Sequence, residues 1–246
     1  GICAESVRRV TLELGGKSAC ILLDDADLDL AVPGAVQAAT LNSGQTCVAQ
    51  TRLLVPRSHH DEVVDRVVAL FESMVVGDPT DPATTIGPMV SARQQERVLG
   101  YIDIGEREGA KVVTGGGVPT GLGSGHYVEP TVFVGVDNRM QIAQEEIFGP
   151  VLAVIPYDGD DAAVQLANDS IYGLSGAVWS GDTERGVGLA RRIRTGTFAV
   201  NGLGMNPAAP FGGFKQSGIG RELGPEGLAP YLEYKSISVP ADYGAS

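Results

Sequence analysis

Cys47 is the side chain of this sequence best suited to attack an electrophile. It lies in LNSGQTCVAQ, residues 41–50, where small and polar residues precede it and a helical pattern ends nearby. A thiolate is a strong nucleophile, and free backbone N–H groups near a helix end can help to lower the pKa of a thiol. Buried cysteines are more often inert, so the residue type alone leaves both interpretations open.

Glu13 is the first carboxylate that could assist such a thiol. It lies between Leu12 and Leu14 and directly before Gly15, at the end of an otherwise apolar strand pattern. Exposure on the solvent face of that strand is the simpler interpretation. The alternative is a carboxylate placed at the carboxyl end of a parallel strand, where α/β proteins build their sites.

A second acidic motif, QEEIFGPV at residues 144–151, places Glu145 and Glu146 close to Phe148. The two carboxylates could form a charged loop edge. Alternatively, a carboxylate beside an aromatic ring could hold a ribose by its hydroxyls and a flat ring by stacking. The spacing does not decide between these interpretations.

Other chemistries find little support. The three cysteines are widely spaced and contain no Cys-x-x-Cys pair, while His59 and His60 are adjacent and His126 stands alone, so no metal site is expected. His59 would have to be brought to Cys47 by the fold to act as its base. The glycine-rich segment 114–125 contains Pro119 and is not followed by a helix pattern, which predicts a surface turn instead of a phosphate loop.

The elements that must position these residues alternate along the chain. Strand patterns are expected at residues 8–14, 18–23 and 51–56, and further ones lie between residues 111 and 200. Helices are expected after caps at Asp24 or Asp27, at Ser91, and at Asp182 or Thr183. The first of these helices could start later because of Pro33, and the last should end at residues 195–196. This alternation predicts an α/β fold, a mainly parallel sheet covered by helices.

Two segments near the end are expected to differ from this pattern. Residues 202–224 predict a long glycine-rich loop, a feature that is usually functional in a compact domain. Residues 234–240, YKSISVP, predict a late strand. The chain starts without Met close to a strand pattern, so we expect it to be part of a longer protein.

The formal net charge of −12 argues against a nucleic acid or an anionic membrane surface as partner. No apolar run approaches the length that a membrane span requires. Unpaired, separated cysteines are typical of a reduced compartment, which predicts a cytoplasmic protein.

Five motifs taken together resemble the aldehyde dehydrogenase superfamily in their order and spacing. They are VTLELGGK at 10–17, NSGQTC at 42–47, EEIFGPV at 145–151, VN at 200–201 and PFGGFKQSGIGRELG at 210–224. The resemblance covers nearly the whole chain but only the later half of a family member. It implies oxidation of an aldehyde to a carboxylic acid with NAD or NADP.

The resemblance assigns a role to each matching residue. Cys47 matches the nucleophile that forms a thiohemiacetal and then a thioester, and Glu13 matches the base that activates water for hydrolysis. Glu222 matches a carboxylate of a water relay. Expected cofactor contacts are Leu14, Gly15, Glu146 and Phe148. Expected substrate contacts are Thr46, Val48, Asn201 and Phe211. These residues do not reveal which aldehyde is bound.

The resemblance also implies a domain organisation. Residues 1–15 match the end of the dinucleotide-binding domain, 16–224 the catalytic domain and 225–246 a C-terminal segment that returns to the cofactor domain. The last of these contains the strand by which family members form homodimers or homotetramers. Most of the cofactor domain lies upstream in the family, so we expect this chain alone to have little activity. A catalytically inactive scaffold and an esterase that uses only Cys47 and Glu13 are the alternatives.

Overall fold

The computed structural model describes residues 1–202, 204 and 206–243. All of the site residues named above fall within these ranges. The predicted loop 202–224 and the C-terminal segment 225–246 each lie partly outside them.

Eleven strands are found in the described residues. In chain order they are β1 Leu12–Glu13, β2 Ala19–Leu22, β3 Arg52–Pro56, β4 Lys111–Thr114, β5 Thr131–Val134, β6 Val151–Tyr157, β7 Tyr172–Gly173, β8 Gly176–Trp179, β9 Ala199–Val200, β10 Phe214–Lys215 and β11 Gly218–Ile219. Seven form one sheet in the order β4-β5-β6-β3-β2-β8-β9. All neighbours in it are parallel except β4, which pairs antiparallel with β5. The predicted mainly parallel sheet is confirmed.

Eight α-helices accompany these strands in the same part of the chain. They are α1 Ile2–Glu5, α2 Leu28–Thr40, α3 His60–Glu72, α4 Ala92–Arg107, α5 Gln141–Gln144, α6 Asp160–Asn168, α7 Thr183–Ala190 and α8 Gly224–Leu228. Apolar residues of α2 and α3 pack on one face of the sheet, and those of α4, α6 and α7 pack on the other. The central strands β2 and β3 are therefore buried on both faces, which explains their uninterrupted apolar sequence.

Of the predicted caps, Asp27, Ser91 and Asp182 are confirmed, since each side chain accepts a hydrogen bond from a backbone N–H group of the first turn, whereas Asp24 and Thr183 are not the caps. The later start suggested by Pro33 is wrong. Helix α2 begins at Leu28 and contains Pro33, because the cap and the buried apolar face compensate for one missing backbone hydrogen bond.

Helix α7 is shorter than expected and ends at Ala190. The side chain of Asn168 donates to the carbonyl of Arg192 at 2.9 Å and accepts from the N–H of Arg194 at 2.7 Å. These bonds fix the backbone in a turn beyond Ala190. A contact from a residue over twenty positions away cannot be read from the local sequence.

Three predictions on the outer segments need correction. The strand expected at 8–14 contains only β1, which pairs antiparallel with β11. The loop expected at 202–224 is partly regular, because β10 pairs with β7 and β11 with β1. Residues 234–240 form no strand: the described part of the chain offers them no neighbouring strand, and a strand requires a partner for its backbone groups.

Candidate active site

The site is assembled where several strands of the large sheet begin. Gly15 and Gly16 precede β2, Cys47 precedes β3 and Glu146 precedes β6. The neighbouring amino ends of these parallel strands bring together residues that are far apart in sequence. The expectation that Glu13 lies at the carboxyl end of a parallel strand is wrong, since it lies on the antiparallel β1.

The loop that presents Cys47 has an unusual backbone. Asn42, Ser43 and Gly44 have φ of 53°, 56° and 73°, so three consecutive residues lie in the left-handed region. Side chains of the loop hold it in place: Ser43 Oγ accepts from Gly87 N–H at 3.0 Å, and Gln45 Oε1 accepts from Val90 N–H at 2.9 Å. Such strain persists only where the surroundings impose it, and it is concentrated at functional sites.

Gly44 is required by this geometry, and Gly44→Ala should destabilise the protein. A Cβ at this position would clash with the carbonyl of Gly149, and the left-handed conformation adds about 1–2 kcal/mol for a non-glycine residue. We expect a loss of at least that free energy of unfolding in urea titrations. Gly100→Ala is the matched control, because Gly100 lies within α4 with nothing near its Cβ and should become slightly more stable. Equal stability of both variants would contradict the proposed strain.

The Cys47 thiol is half-buried, and its surroundings raise its pKa. Burial raises its pKa first, and the carboxylates of Glu146 and Glu13 raise it further. The N–H groups of Cys47 and Val48 donate toward the sulfur and lower the pKa, as the sequence predicted for backbone dipoles, but they do not outweigh the other causes. The backbone dipoles expected from the sequence are therefore present, but they do not give this thiol a lowered pKa on their own.

This environment predicts a distinct pH dependence for alkylation. Iodoacetamide reacts with the thiolate, so a raised pKa makes labelling of Cys47 slow at neutral pH and about tenfold faster per pH unit up to a midpoint above the ~8.5 of a free thiol. Glu146→Gln should move that midpoint down, because it removes the larger carboxylate contribution. Peptide mass spectrometry would follow Cys47, with the exposed Cys3 as internal reference. A midpoint below that of a free thiol would contradict this account.

Glu13 is partly buried and faces other charges. Burial and the carboxylate of Glu222 raise its pKa, while Arg221 and a hydrogen bond from the backbone N–H of Gly213 lower it. Its Oε2 atom is buried without a hydrogen-bond partner. Full solvent exposure, the simpler interpretation of the sequence, is therefore wrong. The structure brings Glu222 near Glu13 by pairing the backbone of Glu222 with that of Phe211.

Glu146 lies on the backbone of the two glycines before β2. Its Oε1 accepts from Gly16 N–H at 3.0 Å, and a Cβ on Gly15 would be 2.5 Å from its Oε2. Gly16 is close to the nucleophile as well, since its Cβ would be 2.5 Å from the carbonyl oxygen of Cys47. Only glycine leaves room for a carboxylate on one side and the Cys47 loop on the other.

Helix α4 holds the segment that carries Glu146 and Phe148. Arg97 Nη2 donates to the carbonyl of Glu146 at 2.6 Å, and Gln94 Nε2 donates to the carbonyl of Phe148 at 2.8 Å. Phe148 has φ of 65°, a strained conformation that these bonds help to maintain. The sequence did not indicate either Gln94 or Arg97.

Three further residues escaped the sequence analysis. Ser217 is fully buried, and its hydroxyl donates to Gly15 O at 2.7 Å and accepts from Gly173 N–H at 2.9 Å. Arg52 donates to Lys17 O at 2.9 Å, and Lys17 itself is buried with a pKa lowered to about 7 by burial. A charged residue in the apolar strand pattern TRLLVP was the available signal for Arg52, whereas Ser217 gave none.

The four predicted substrate residues do not all line the same cavity. Val48 and Phe211 line one cavity of about 250 Å³, whereas Thr46 flanks Cys47 without lining it. Asn201 is placed elsewhere: its amide accepts from Ser180 N–H at 2.8 Å and donates to Ser180 O at 2.9 Å. His59 lies beyond the opposite end of β3, close enough to Asp24 to affect that carboxyl, so it does not form a pair with Cys47.

Fold and site together define a class of protein: an α/β protein with a half-buried thiol close to two carboxylates and next to an apolar cavity. The chain matches the model of the aldehyde dehydrogenase family over residues 1–237. It is 52% identical over 235 residues to geranial dehydrogenase of Castellaniella defragrans, covering 96% of this chain and 49% of that protein.

Solved structures agree with this match. A Mycobacterium tuberculosis aldehyde dehydrogenase complexed with NAD+ superposes with a TM-score of 0.95 at 52% identity, covering 97% of this chain and 49% of that one. A mutant of aldehyde dehydrogenase C from Pseudomonas syringae, complexed with NAD+ and octanal, gives a TM-score of 0.93 at 49% identity, with coverages of 95% and 48%. The chain belongs to the aldehyde dehydrogenase family, and it spans about half the length of these relatives.

In the described part of the chain, no helix combines the length and the apolar character needed to cross a membrane.

Proposed function

We propose that this chain carries the catalytic residues of an NAD(P)-dependent aldehyde dehydrogenase that releases a carboxylic acid. The observation that carries the proposal is the placement of the Cys47 thiol near Glu13 and Glu146, two carboxylates close enough to raise its pKa, with Gly16 in contact with both Glu146 and the Cys47 backbone. A nucleophile close to two carboxylates, one of which can act as a base, suits attack on a carbonyl carbon followed by hydrolysis at the same carbon.

In the first step, the Cys47 thiol gives its proton to solvent, its sulfur adds to the aldehyde carbon and the C=O π electrons move to oxygen, which gives the oxyanion of a thiohemiacetal. The backbone N–H of Cys47 suits stabilisation of the developing oxyanion. Loss of a hydride from the same carbon, with re-formation of the C=O bond, then leaves a thioester on Cys47. The nicotinamide cofactor, when bound, supplies the acceptor for that hydride.

In the second step, Glu13 takes a proton from water as the water oxygen adds to the thioester carbon. Collapse of this adduct breaks the C–S bond and releases the carboxylic acid, and the proton held by Glu13 passes to sulfur to restore the thiol of Cys47. Partial burial and Glu222 raise the pKa of Glu13, which brings a carboxylate closer to the neutral range in which a general base works best. The presence of Glu13 favours hydrolysis over transfer of the acyl group to coenzyme A.

The residues of this chain fit the nicotinamide half of a dinucleotide. Glu146 offers a carboxylate for ribose hydroxyls, and Phe148 offers an aromatic ring on the same segment. A Cβ on Gly15 would lie 2.5 Å from Glu146 Oε2. Because glycine has no Cβ, the Leu14–Gly15 backbone can lie close to that carboxylate. The NAD+ complexes of two similar structures support this assignment.

The domain organisation is part of the proposal: residues 1–15 end a dinucleotide-binding domain, 16–224 form the catalytic domain and 225–246 return to the cofactor domain. Tyr234, Ile237 and Val239 are exposed apolar side chains, which supports association of residues 234–240 with a second copy in a homodimer or homotetramer. Three unpaired thiols support a reduced compartment such as the cytoplasm.

The test is an assay of the protein that carries this chain with an aliphatic aldehyde and NAD or NADP. We expect the absorbance of reduced cofactor to rise in step with formation of the carboxylic acid, measured by mass spectrometry. Reduced cofactor without acid, or acid only in the presence of coenzyme A, would contradict the hydrolytic mechanism.

A further inference from the structure

Arg221 places a positive charge near Glu13 and is held there by groups that are not acidic. Its Nη1 donates to Gly220 O at 2.6 Å and to Gly213 O at 3.2 Å, and its guanidinium carbon lies 5.2 Å from the centre of the Phe214 ring. Within the described residues, no carboxylate lies at ion-pair distance from this guanidinium. The contacts therefore fix the position of the guanidinium without neutralising its charge.

Glu13 and Arg221 face the same small space in front of Gly212. A Cβ on Gly212 would lie 3.0 Å from Glu13 Oε1 and 3.1 Å from Arg221 Cδ. The next residue contacts both groups through its backbone, since the N–H of Gly213 stabilises the Glu13 carboxylate and the carbonyl of Gly213 accepts from Arg221. The glycine pair 212–213 therefore brings the carboxylate and the guanidinium together.

The residue that follows Arg221 acts on the same carboxylate in the opposite direction. Burial and the charge of Glu222 raise the pKa of Glu13, whereas the charge of Arg221 lowers it. A third titratable group, the Cys47 thiol, faces Glu13 from the loop before β3, and Glu13 raises the pKa of that thiol. A carboxylate accepts a proton only in its ionised form, so a base in this position needs a positive charge that offsets burial and Glu222.

We propose that Arg221 is a positioning residue for the base: from the glycine pair 212–213 it holds the Glu13 carboxylate in place and in its ionised form. The inference rests on the proposed function in one respect, that Glu13 takes the proton from water. Arg221 acts through Glu13 and takes no part in the proton transfer itself.

The experiment measures how deacylation depends on pH in the protein that carries this chain. An activated aryl ester acylates Cys47, the excess ester is removed, and intact-protein mass spectrometry follows the loss of the acyl group. We expect the rate to rise with pH to a plateau, with a midpoint that reports the ionisation of Glu13. Arg221→Gln should move this midpoint to higher pH, so that deacylation on its acidic side becomes about threefold to tenfold slower while the plateau is retained.

Three further variants separate the charge of Arg221 from its shape. Arg221→Lys keeps the positive charge and should keep a midpoint close to that of the wild-type protein. Glu222→Gln removes the opposing carboxylate and should move the midpoint to lower pH, which tests the same balance even if Arg221→Gln proves unstable. Arg107→Gln is the matched control, because Arg107 is an exposed arginine of α4 that pairs with Asp103, and it should leave the midpoint unchanged.

An unchanged midpoint in Arg221→Gln or in Glu222→Gln would overturn the inference. Equal midpoint changes in Arg221→Lys and Arg221→Gln would overturn it as well, since the charge would then not be the cause. The proposed function fails by a different result, a Glu13→Gln variant that deacylates at the wild-type rate. If Glu13→Gln is slow but Arg221→Gln is unchanged, the proposed function stands and only this inference is wrong.

Discussion

Cys47→Ser should reduce acyl transfer from an activated aryl ester to this chain by about 10³-fold or more. The hydroxyl of serine is a far weaker nucleophile, and in the described part of the chain no histidine is among the groups that affect this position. An activated ester forms the same thioester as an aldehyde would after hydride loss, but it requires no cofactor. Intact-protein mass spectrometry would show one added acyl group on the wild-type protein within the assay time and none on the variant.

Cys20→Ser is the matched control for this experiment. Cys20 is buried within β2, and burial raises its pKa to about 12, so its removal should leave acyl uptake unchanged. The exposed Cys3 can react slowly, and peptide mapping distinguishes its label from that of Cys47. If Cys47→Ser and the wild-type protein took up acyl groups at equal rates, Cys47 would not be the nucleophile.

Glu13→Gln should have the opposite effect to Cys47→Ser: the acylated protein should form and accumulate. The amide cannot accept a proton from water, and the loss of a positioned base typically costs a factor of about 10²–10⁴. Acylation itself should be retained or become faster, because removal of the Glu13 charge removes one of the causes that raise the pKa of Cys47. Stopped-flow measurement of phenolate release would show a burst followed by a much slower steady state than in the wild-type protein.

Glu145→Gln provides the comparison for Glu13→Gln. Glu145 is an exposed carboxylate that accepts a hydrogen bond from Tyr101, outside the set of residues that affect the Cys47 thiol. The Glu145→Gln variant should deacylate at the same rate as the wild-type protein. A Glu13→Gln variant that deacylates at the wild-type rate would assign the base to another group, and Glu222 is then the next candidate because of its proximity to Glu13.

The sequence predicted those parts of the structure that depend on local physics. Cap residues such as Asp27, Ser91 and Asp182, and the apolar runs of β2 and β3, report on their own elements. The motif order identified the family and placed Cys47, Glu13 and Glu146 in one site. Alternation of strands and helices predicted the parallel sheet, although not its strand order.

What the sequence could not predict depends on contacts between distant segments. The pKa of Cys47 is raised by burial and then by carboxylates 99 and 34 positions away, at Glu146 and Glu13, whereas local backbone dipoles suggested the opposite direction. Asn201 was expected at the substrate, but its amide pairs with the backbone of Ser180. The buried Ser217 supports Gly15 from across 202 positions, and a serine in a glycine-rich segment carries no local sign of that role.

The same distances have a consequence for how the protein acquires its reactivity. The contact of Gly16 with Glu146 closes a loop of 130 residues, and that of Gly15 with Ser217 closes one of 202. Contacts between distant residues cost more chain entropy and form slowly. We therefore expect the thiol to meet its carboxylates late in folding. Until then the nascent polypeptide has no competent centre, and a chain interrupted during synthesis before residue 146 would lack one altogether.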